Sequence, residues 1–461
     1  MIHEKGIYVK KTVNLITYIL FTVIIFSSCQ MSDSGNVRSQ DNVTGSKNTF
    51  KNYTYGGTLK LFCTNPDTMN PVLTTNTYVR KFASLIFESM VKIDKNQKPV
   101  PCLAKGWEVS EDVLTWNFYL NENILWHDDS PFSADDVVFT LDTIRNSAGL
   151  SVYQRNLENV LSYAAIDSYT LEIKLNTPDS FTPLLMSFPI VKKIDVSEGG
   201  EYKGSFEPVG TGPYRLSEYG DSSIILARNE NWWQKSNGQI KGPYFDNVEI
   251  KIYGGKEEEA VAFLKGETDI ALVDRGEVEK YYYRPDITVR RYPSNEFEFI
   301  AFNFNNSALA EKTVRQAIAY AIDRKSIIDN VLSGEAIAAE IPVIPDTWLY
   351  NSNTIVYNVD KKKAKELLLQ DGWEESNGVM SKKIAGVKTV LSFNLLVNSD
   401  NSLRREVAQK IADDLAEIGI KVEITEVSWD SELAMLASGS FDMALLGCTI
   451  PVTLDLSYLY S

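Results

Sequence analysis

Hydrophobic positions in the last third of the chain switch repeatedly between the two-residue period of a strand and the 3.6-residue period of a helix. Strands are predicted over 390–397, 420–427 and 441–446, with helices between them over 402–418 and 429–437. Ser402 is the predicted cap of the longer helix, and Gly419 ends it. Strands and helices in this βαβαβ order build a partly parallel sheet covered by helices. We therefore predict an α/β fold for this region.

Earlier segments show the same two periods less regularly. Leu114–Leu120 alternates apolar and polar residues, which predicts a half-buried strand. Ser133 precedes an apolar helical stripe and can cap it. Further elements are predicted as strands over 170–175 and 248–253 and as a helix over 313–332.

The chain has 461 residues, too many for one ordinary hydrophobic core. The strand-rich, irregular part gives way to the regular βαβαβ part near residues 290–300. We therefore predict two lobes. Lobe I covers 54–295 and carries an inserted strand-rich subdomain over about 91–205, and lobe II covers 296–461.

The first 53 residues have the pattern of an export signal followed by a tether. Residues 1–11 include three lysines, and residues 12–26 are almost wholly apolar. Fifteen residues span about 22 Å as a helix, less than the ~30 Å of a hydrocarbon core. Phe26-Ser27-Ser28-Cys29 resembles a bacterial lipobox, in which Cys29 receives the lipid. We predict a lipoprotein signal peptide over 1–28 and a flexible, Ser- and Asn-rich tether over 29–53, with an uncleaved membrane anchor as the alternative.

The composition of the chain limits the classes of function that the protein can have. The net charge of −15 argues against nucleic acid as a partner, because phosphate contacts need clustered Lys and Arg. The chain has two histidines, His3 and His127, and it lacks nucleophile-elbow and phosphate-loop motifs. Three cysteines beyond Cys29 give no disulfide framework. The sequence therefore favours a binding protein over an enzyme, with no catalytic residues, no cofactor and no metal site.

Residues 98–141 contain the most characteristic motif of the chain. Its spaced positions are Pro101, Leu103, Ala104, Trp107, Ser110, Asp112, Trp116, Phe118, Leu120, Trp126, Asp128, Ala134, Asp136 and Val137. A Gly-Thr-Gly-Pro-Tyr segment follows at Gly210–Tyr214. This pattern resembles the bacterial extracellular solute-binding proteins of the oligopeptide, dipeptide and nickel class, and the resemblance spans about residues 57–447.

The resemblance implies an α/β clamp of two lobes, like the periplasmic binding proteins. Such a clamp closes on a ligand and docks on the permease subunits of an ATP-powered importer. We therefore expect a monomeric lipoprotein, anchored outside the cell, that captures peptides or related solutes. Family members continue beyond the position of Ser461, so lobe II is expected to be incomplete at its C-terminal end. The alternatives are a tethered surface enzyme of the glycosidase or peptidase kind and an adhesin.

The resemblance also indicates candidate ligand-binding residues. In the family's peptide binders a Trp begins a helix and a Trp-x-x-Asp supplies the Asp for the peptide amine. Trp429 matches the first Trp, although a core Trp is an equally good interpretation, and Cys448-Thr-Ile-Pro replaces the Trp-x-x-Asp. We hypothesise that this segment does not hold a free peptide amine. The ligand is then blocked, modified or larger, or another carboxylate such as Asp455 is recruited. Asn65 lies on a loop that the family places near the cleft.

Overall fold

The structure is a computed structural model that describes residues 2–11, 55–194, 206–236, 242–273, 278–345, 347–351 and 353–450. Its strands are β1 (Ile2–Lys11), β2 (Thr58–Thr64), β3 (Val91–Ile93), β4 (Pro99–Pro101), β5 (Ala104–Val109), β6 (Thr115–Leu120), β7 (Val160–Asp167), β8 (Thr170–Leu175), β9 (Tyr214–Tyr219), β10 (Ser223–Arg228), β11 (Asn247–Tyr253), β12 (Ile270–Leu272), β13 (Ile287–Phe302), β14 (Ala336–Ala338), β15 (Glu374–Ser376), β16 (Val379–Ile384), β17 (Val387–Val390), β18 (Ser392–Asn398), β19 (Lys421–Val427) and β20 (Met443–Thr449). Its α-helices are α1 (Thr77–Ala83), α2 (Ala134–Arg145), α3 (Thr182–Leu185), α4 (Trp233–Ser236), α5 (Glu259–Lys265), α6 (Glu279–Tyr282), α7 (Ser307–Ala310), α8 (Lys312–Ala321), α9 (Arg324–Ser326), α10 (Lys361–Gln370), α11 (Ser402–Ala416) and α12 (Trp429–Ser438).

The earlier part of the chain packs around a hydrophobic cluster drawn from positions 62–262. One sheet has the order β2-β11-β10-β9, in which β2 and β11 are parallel. A second, antiparallel sheet has the order β5-β6-β8-β7. The strand predicted over 114–120 is confirmed as β6, whose Trp116, Phe118 and Leu120 are buried. Ser133 caps α2 as predicted, and Asp136 completes a capping box.

The later part packs around a separate cluster drawn from positions 308–445. Its sheet has the order β13-β20-β18-β19, with β18, β19 and β20 parallel and β13 antiparallel to β20. The βαβαβ prediction is therefore confirmed. The cap of α11 is Asn401 rather than Ser402, because the Asn401 side chain accepts the Arg404 amide hydrogen at 3.0 Å.

The helix predicted over 313–332 is wrong as a single element. Helix α8 ends at Ala321, and the next turn begins after Asp323. Asp323 caps that turn by accepting the Ser326 amide hydrogen at 2.9 Å, while its own amide donates to Asp414 at 3.0 Å. Apolar periodicity continues through the break, so the sequence pattern alone does not reveal it.

The 16-residue strand β13 extends between the two packed regions. It pairs with β1 over 287–298 and with β20 over 296–302. Strand β1 also pairs with β12 and β14. Residues 2–11 belong to the segment that is predicted to be removed as a signal peptide. No observation tests this removal, so the signal peptide over 1–28 stays a prediction. The tether over 29–53 and Cys29 lie outside the described residues. The lobe boundary at 295/296 also stays a prediction.

The Gly-Thr-Gly-Pro segment found in the sequence packs directly against backbone. The Gly212 amide donates to the Ile86 carbonyl at 2.8 Å. A Cβ atom at Gly210 would lie 1.8 Å from the same carbonyl oxygen. His127 closes the segment from the other side: its Nδ1 accepts the Gly210 amide hydrogen at 3.2 Å and its Nε2 donates to the Gly212 carbonyl at 3.0 Å. Since an amide only donates and a carbonyl only accepts, His127 is the neutral Nε2–H tautomer.

We expect Gly210→Ala to lower the free energy of unfolding by about 3 kcal/mol, because the added methyl group collides with rigid backbone. Gly106→Ala is the matched control, since nothing lies within 4 Å of a Cβ at Gly106. It should cost less than about 1 kcal/mol. Urea unfolding followed by tryptophan fluorescence measures both. Equal losses in the two variants would contradict the steric explanation.

We expect His127 to make stability depend on pH. Burial, together with the charge of Arg215, lowers the pKa of His127, and protonation would also turn a second N–H toward the Gly210 amide. A depressed pKa means that stability is fully present above the unfolded value of about 6.5 and is lost as the pH falls below it. The loss approaches about 1.4 kcal/mol per pH unit.

The variant His127→Gln separates this effect from other titrations, because an amide keeps a donor and an acceptor but does not titrate. Melting temperatures at pH 7.5, 6.5 and 5.5 should fall less steeply for the variant than for the wild type. If the melting temperatures of the two proteins fall equally with pH, His127 is not the cause of the pH dependence.

Candidate functional site

The carboxyl ends of three parallel strands meet at one edge of the later sheet. Strand β18 ends at Asn398, β19 ends at Val427 and β20 ends at Thr449. Helices α11 and α12 begin immediately after β18 and β19, so their N-termini lie at the same edge. Ligands of α/β proteins bind in crevices outside the carboxyl ends of parallel strands. We call this edge, with Asn398, Trp429 and Cys448, the ligand edge.

Trp429 is the first residue of α12 and is 44% exposed, and Ser428 caps the helix in front of it. Leu433, one turn further on, is 45% exposed. Residues four apart lie on one helix face, so these two side chains form a continuous apolar surface. The alternative interpretation of Trp429 as a buried core residue is therefore wrong. Its part in ligand binding stays a prediction.

Cys448 lies in β20, two residues before the end of the described chain. It packs beside Phe297 and Phe299 in a small cluster that also contains Ala339 and Ile450. The next residue, Thr449, donates its hydroxyl to Glu296 at 2.8 Å. Cys448 and Trp429 thus lie at the same edge of the sheet, and the part of Cys448 in ligand binding stays a prediction. Asp455 lies outside the described residues.

Asn65 lies at the corresponding edge of the earlier sheet. It is exposed and follows directly on β2, whose parallel neighbour β11 ends before Gly254. Asp67 fixes the loop by accepting the Thr75 amide and hydroxyl hydrogens, each at 2.7 Å. Burial alone would raise the pKa of Asp67, but hydrogen bonds from Thr74, Thr75 and the Thr68 amide outweigh it and hold the pKa well below its ordinary value. The carboxylate is thus ionised over the physiological range, which keeps the loop in place.

A charged cluster at the ligand edge was missed by sequence reasoning. Arg404 in α11 donates to both carboxylate oxygens of Glu298, at 2.8 and 2.7 Å. This pair lies directly on Gly447, where a Cβ atom would come within 2.2 Å of both side chains. Glu432 in α12 is fully buried nearby, and its pKa is raised by burial and by the charge of Glu298, while the charge of Arg404 and the Asn398 side chain oppose the rise. The signal available in the sequence was the acidic residue three positions after Trp429.

The described residues enclose two cavities, of which the first lies near the ligand edge and the second lies at the end of the earlier sheet away from Asn65. One of about 270 Å³ lies between α8, α11 and the later sheet, and its lining is mostly apolar, including Ile318, Val407 and Leu445. Ion pairs between Glu298 and Arg404 and between Arg324 and Glu340 bound it. The other, of about 330 Å³, is polar and includes His127, Asp128 and Arg215. Among the described residues, no three His, Cys, Asp or Glu side chains are grouped closely enough to hold a metal ion.

The family model for bacterial extracellular solute-binding proteins, family 5 Middle, matches residues 98–461. Among curated proteins, the chain is 25% identical to the dipeptide-binding protein of Escherichia coli, covering 84% of this chain and 74% of the relative. It is also 25% identical to the oligopeptide-binding protein AppA of Bacillus subtilis (96% and 81%) and to the heme-binding protein A of Haemophilus influenzae (92% and 79%).

Solved structures give the same assignment of the fold. The murein tripeptide-binding protein MppA, in its unliganded open form, superposes with a TM-score of 0.74 at 20% identity, covering 87% of this chain and 80% of its own. HbpA2 of Haemophilus parasuis superposes with a TM-score of 0.71 at 24% identity (86% and 81%). With its α/β lobes and mixed sheets, the protein therefore belongs to the bacterial extracellular solute-binding proteins of family 5, the substrate-binding components of ABC importers.

Proposed function

We propose that this protein captures peptides or related organic solutes outside the cell and delivers them to the permease of an ABC importer, while a lipid on Cys29 holds it at the membrane as a monomer. The observation that supports a ligand role most directly is the exposed Trp429–Leu433 surface at the ligand edge. Aromatic side chains are favoured anchors at recognition sites. The relatives that are named for peptides belong to the same family.

A two-lobed protein suits delivery for a physical reason. A ligand that contacts both lobes stabilises only the closed form, so closure reports occupancy to the transporter. When only a small fraction of the empty protein is closed, the apparent affinity for the ligand is reduced by that fraction. The weaker binding permits release of the ligand.

Peptides and organic solutes are favoured over a directly held metal ion. One curated relative is a nickel-binding protein. In this chain His127 gives both ring nitrogens to backbone partners, so it has no lone pair left for a metal. His3 lies in the predicted signal peptide. A metal carried inside an organic complex needs no such histidine.

Ligand binding without turnover is the first expected outcome. Thermal shift is used to screen a panel of tetrapeptides, amino acids, sugars and nickel–histidine complexes. The bound solute is then recovered from the protein, and its mass is measured by mass spectrometry. At 100 times its Kd a ligand stabilises the folded protein by about 2.7 kcal/mol. Trp429→Ala should weaken binding about tenfold or more and leave the melting temperature of the empty protein unchanged, because the side chain is exposed.

Tyr283→Ala is the matched control, since it removes an aromatic ring that is 93% exposed away from the ligand edge. A panel with no stabilising member would contradict the proposal. Chemically altered solute would indicate the surface enzyme instead. Binding to host matrix without any response to a small solute would indicate the adhesin.

Lipid attachment at Cys29 gives a separate expectation. In a bacterial host the wild type should partition into detergent and begin at a lipid-modified Cys29, whereas Cys29→Ser should remain aqueous. Cys448→Ser is the matched control and should behave as the wild type. A mature protein that retains residues 2–11 would contradict signal-peptide cleavage. Among the described residues no helix combines the length and apolar character needed to span a membrane.

A further inference from the structure

Trp348 joins the two packed parts of the molecule through a contact that does not involve β13. It lies in the loop between β14 and α10, two elements that pack in the later hydrophobic cluster. Its backbone amide donates to the Asn96 carbonyl at 3.0 Å, and its indole Nε1–H donates to the Gln97 carbonyl at 2.8 Å. Both carbonyls belong to the earlier part of the chain. We call this contact between Trp348 and the turn at 94–98 the Trp348 clasp.

The turn that accepts these two hydrogen bonds is held by contacts of its own. It joins β3 to β4, and the Asp94 carboxylate accepts the amide hydrogens of Asn96 and Lys98 at 2.8 and 2.9 Å. The Gln97 amide donates to the Asp94 carbonyl at 3.0 Å. Because the turn uses its amides internally, its two outer carbonyls are presented to Trp348 in a fixed arrangement.

The loop that carries Trp348 is anchored to the later part at both of its ends. Arg324 donates to the Ala339 carbonyl at 3.2 Å and to the Tyr357 carbonyl at 2.9 Å, so one guanidinium group holds both ends. Tyr357 also packs against Tyr320 of α8, with 4.9 Å between the ring centres. The clasp therefore connects two supported segments, and a displacement of one segment from the other breaks its hydrogen bonds.

The clasp belongs to the surface between the two parts and not to either core. Trp348 is 42% exposed and is a member of neither large hydrophobic cluster. Its ring contacts the half-buried Phe181 of the earlier part, with 6.2 Å between the ring centres. Removal of the indole therefore leaves the buried side chains of both parts in place.

A second point of contact restricts how the two parts can move. At β13 they are joined by the chain itself and by Tyr282, which donates to Glu335 at 3.3 Å. One point of connection permits rotation about many axes, whereas two points leave only rotation about the line that joins them. We infer that Trp348 is a positioning residue that, together with β13, determines how the ligand edge faces the edge of the earlier sheet at Asn65.

This inference has a consequence for binding that rests on the proposed function. A ligand that contacts both edges binds only to molecules in which the edges are correctly placed. A looser arrangement therefore reduces the apparent affinity by the fraction of molecules that are correctly placed. The placement of the edges itself can be measured without a ligand.

Double electron–electron resonance between two nitroxide labels measures that placement. The labels are attached at Lys256→Cys, just after β11, and at Asp430→Cys in α12, two exposed positions at the two edges. The full-length protein is used, with Cys29 and Cys448 replaced by serine, and its other two cysteines are buried. The distance distribution should be narrow when Trp348 is intact.

Trp348→Ala should widen the distribution about twofold, because only the backbone hydrogen bond of the clasp then remains. Trp348→Phe keeps a ring beside Phe181 but lacks the indole N–H, so its width should be intermediate. Phe304→Ala is the matched control, since it removes a 63% exposed ring just after the end of β13, and it should leave the width unchanged. Equal widths for the intact protein and Trp348→Ala would overturn the inference.

Two further readouts separate positioning from a structural role. The melting temperature of Trp348→Ala should stay within about 2 °C of the wild type, because neither core loses a side chain. A much larger fall would assign Trp348 to the fold of one part and overturn the inference. For a solute that the binding panel identifies, Trp348→Ala should raise the half-saturating concentration about three- to tenfold.

Tighter binding by Trp348→Ala would show that the clasp opposes binding, and this result would also overturn the inference. If no solute in the panel binds, the proposed function fails, and the distance measurement still decides the inference by itself.

Discussion

The parallel pairing of β18 with β19 and β20 is the constraint on which the site depends. Because all three strands run the same way, their carboxyl ends meet at one edge. The helices that follow β18 and β19 must then begin there, which brings Trp429, Glu432 and Arg404 together although up to 28 positions separate them. An antiparallel arrangement would distribute the same residues over two edges. The arrangement of the candidate site is thus a consequence of strand direction.

Sequence patterns revealed the fold well where local preference and tertiary packing agree. The strand at 115–120 and the cap at Ser133 follow from side-chain alternation and capping chemistry, both of which act over a few residues. The predicted helix over 313–332 failed because its apolar period continues through Asp323, whose side chain caps the next turn and whose amide donates to Asp414, 91 positions away. The cap at Asp323 is a local signal that the apolar period outweighed, whereas the bond to Asp414 leaves no trace in the local sequence.

The candidate site was predicted in the same uneven way. Trp429 and Cys448 were selected because they occupy motif positions, and both lie at the ligand edge, while their part in ligand binding stays a prediction. The pairing of Glu298 with Arg404 crosses 106 positions and depends on the small size of Gly447. Glu432 is an ordinary acidic residue near the start of a helix until its burial is known. Long-range juxtaposition and desolvation are the two properties that the sequence does not show.

The contrast between Asp414 and Glu432 shows how differently the two helices at the ligand edge are held. Asp414 is equally buried, but two lysines and a backbone amide satisfy it, so it holds α11 against its neighbours. Glu432 has no close hydrogen-bond partner among the described residues, and only the charge of Arg404 and the Asn398 side chain favour its ionised form. Burial without a close cation makes Glu432 a weak contributor to the packing of α12. Helix α11 is therefore held by matched charges, whereas α12 is held mainly by its half-buried apolar side chains, Met435 and Leu436.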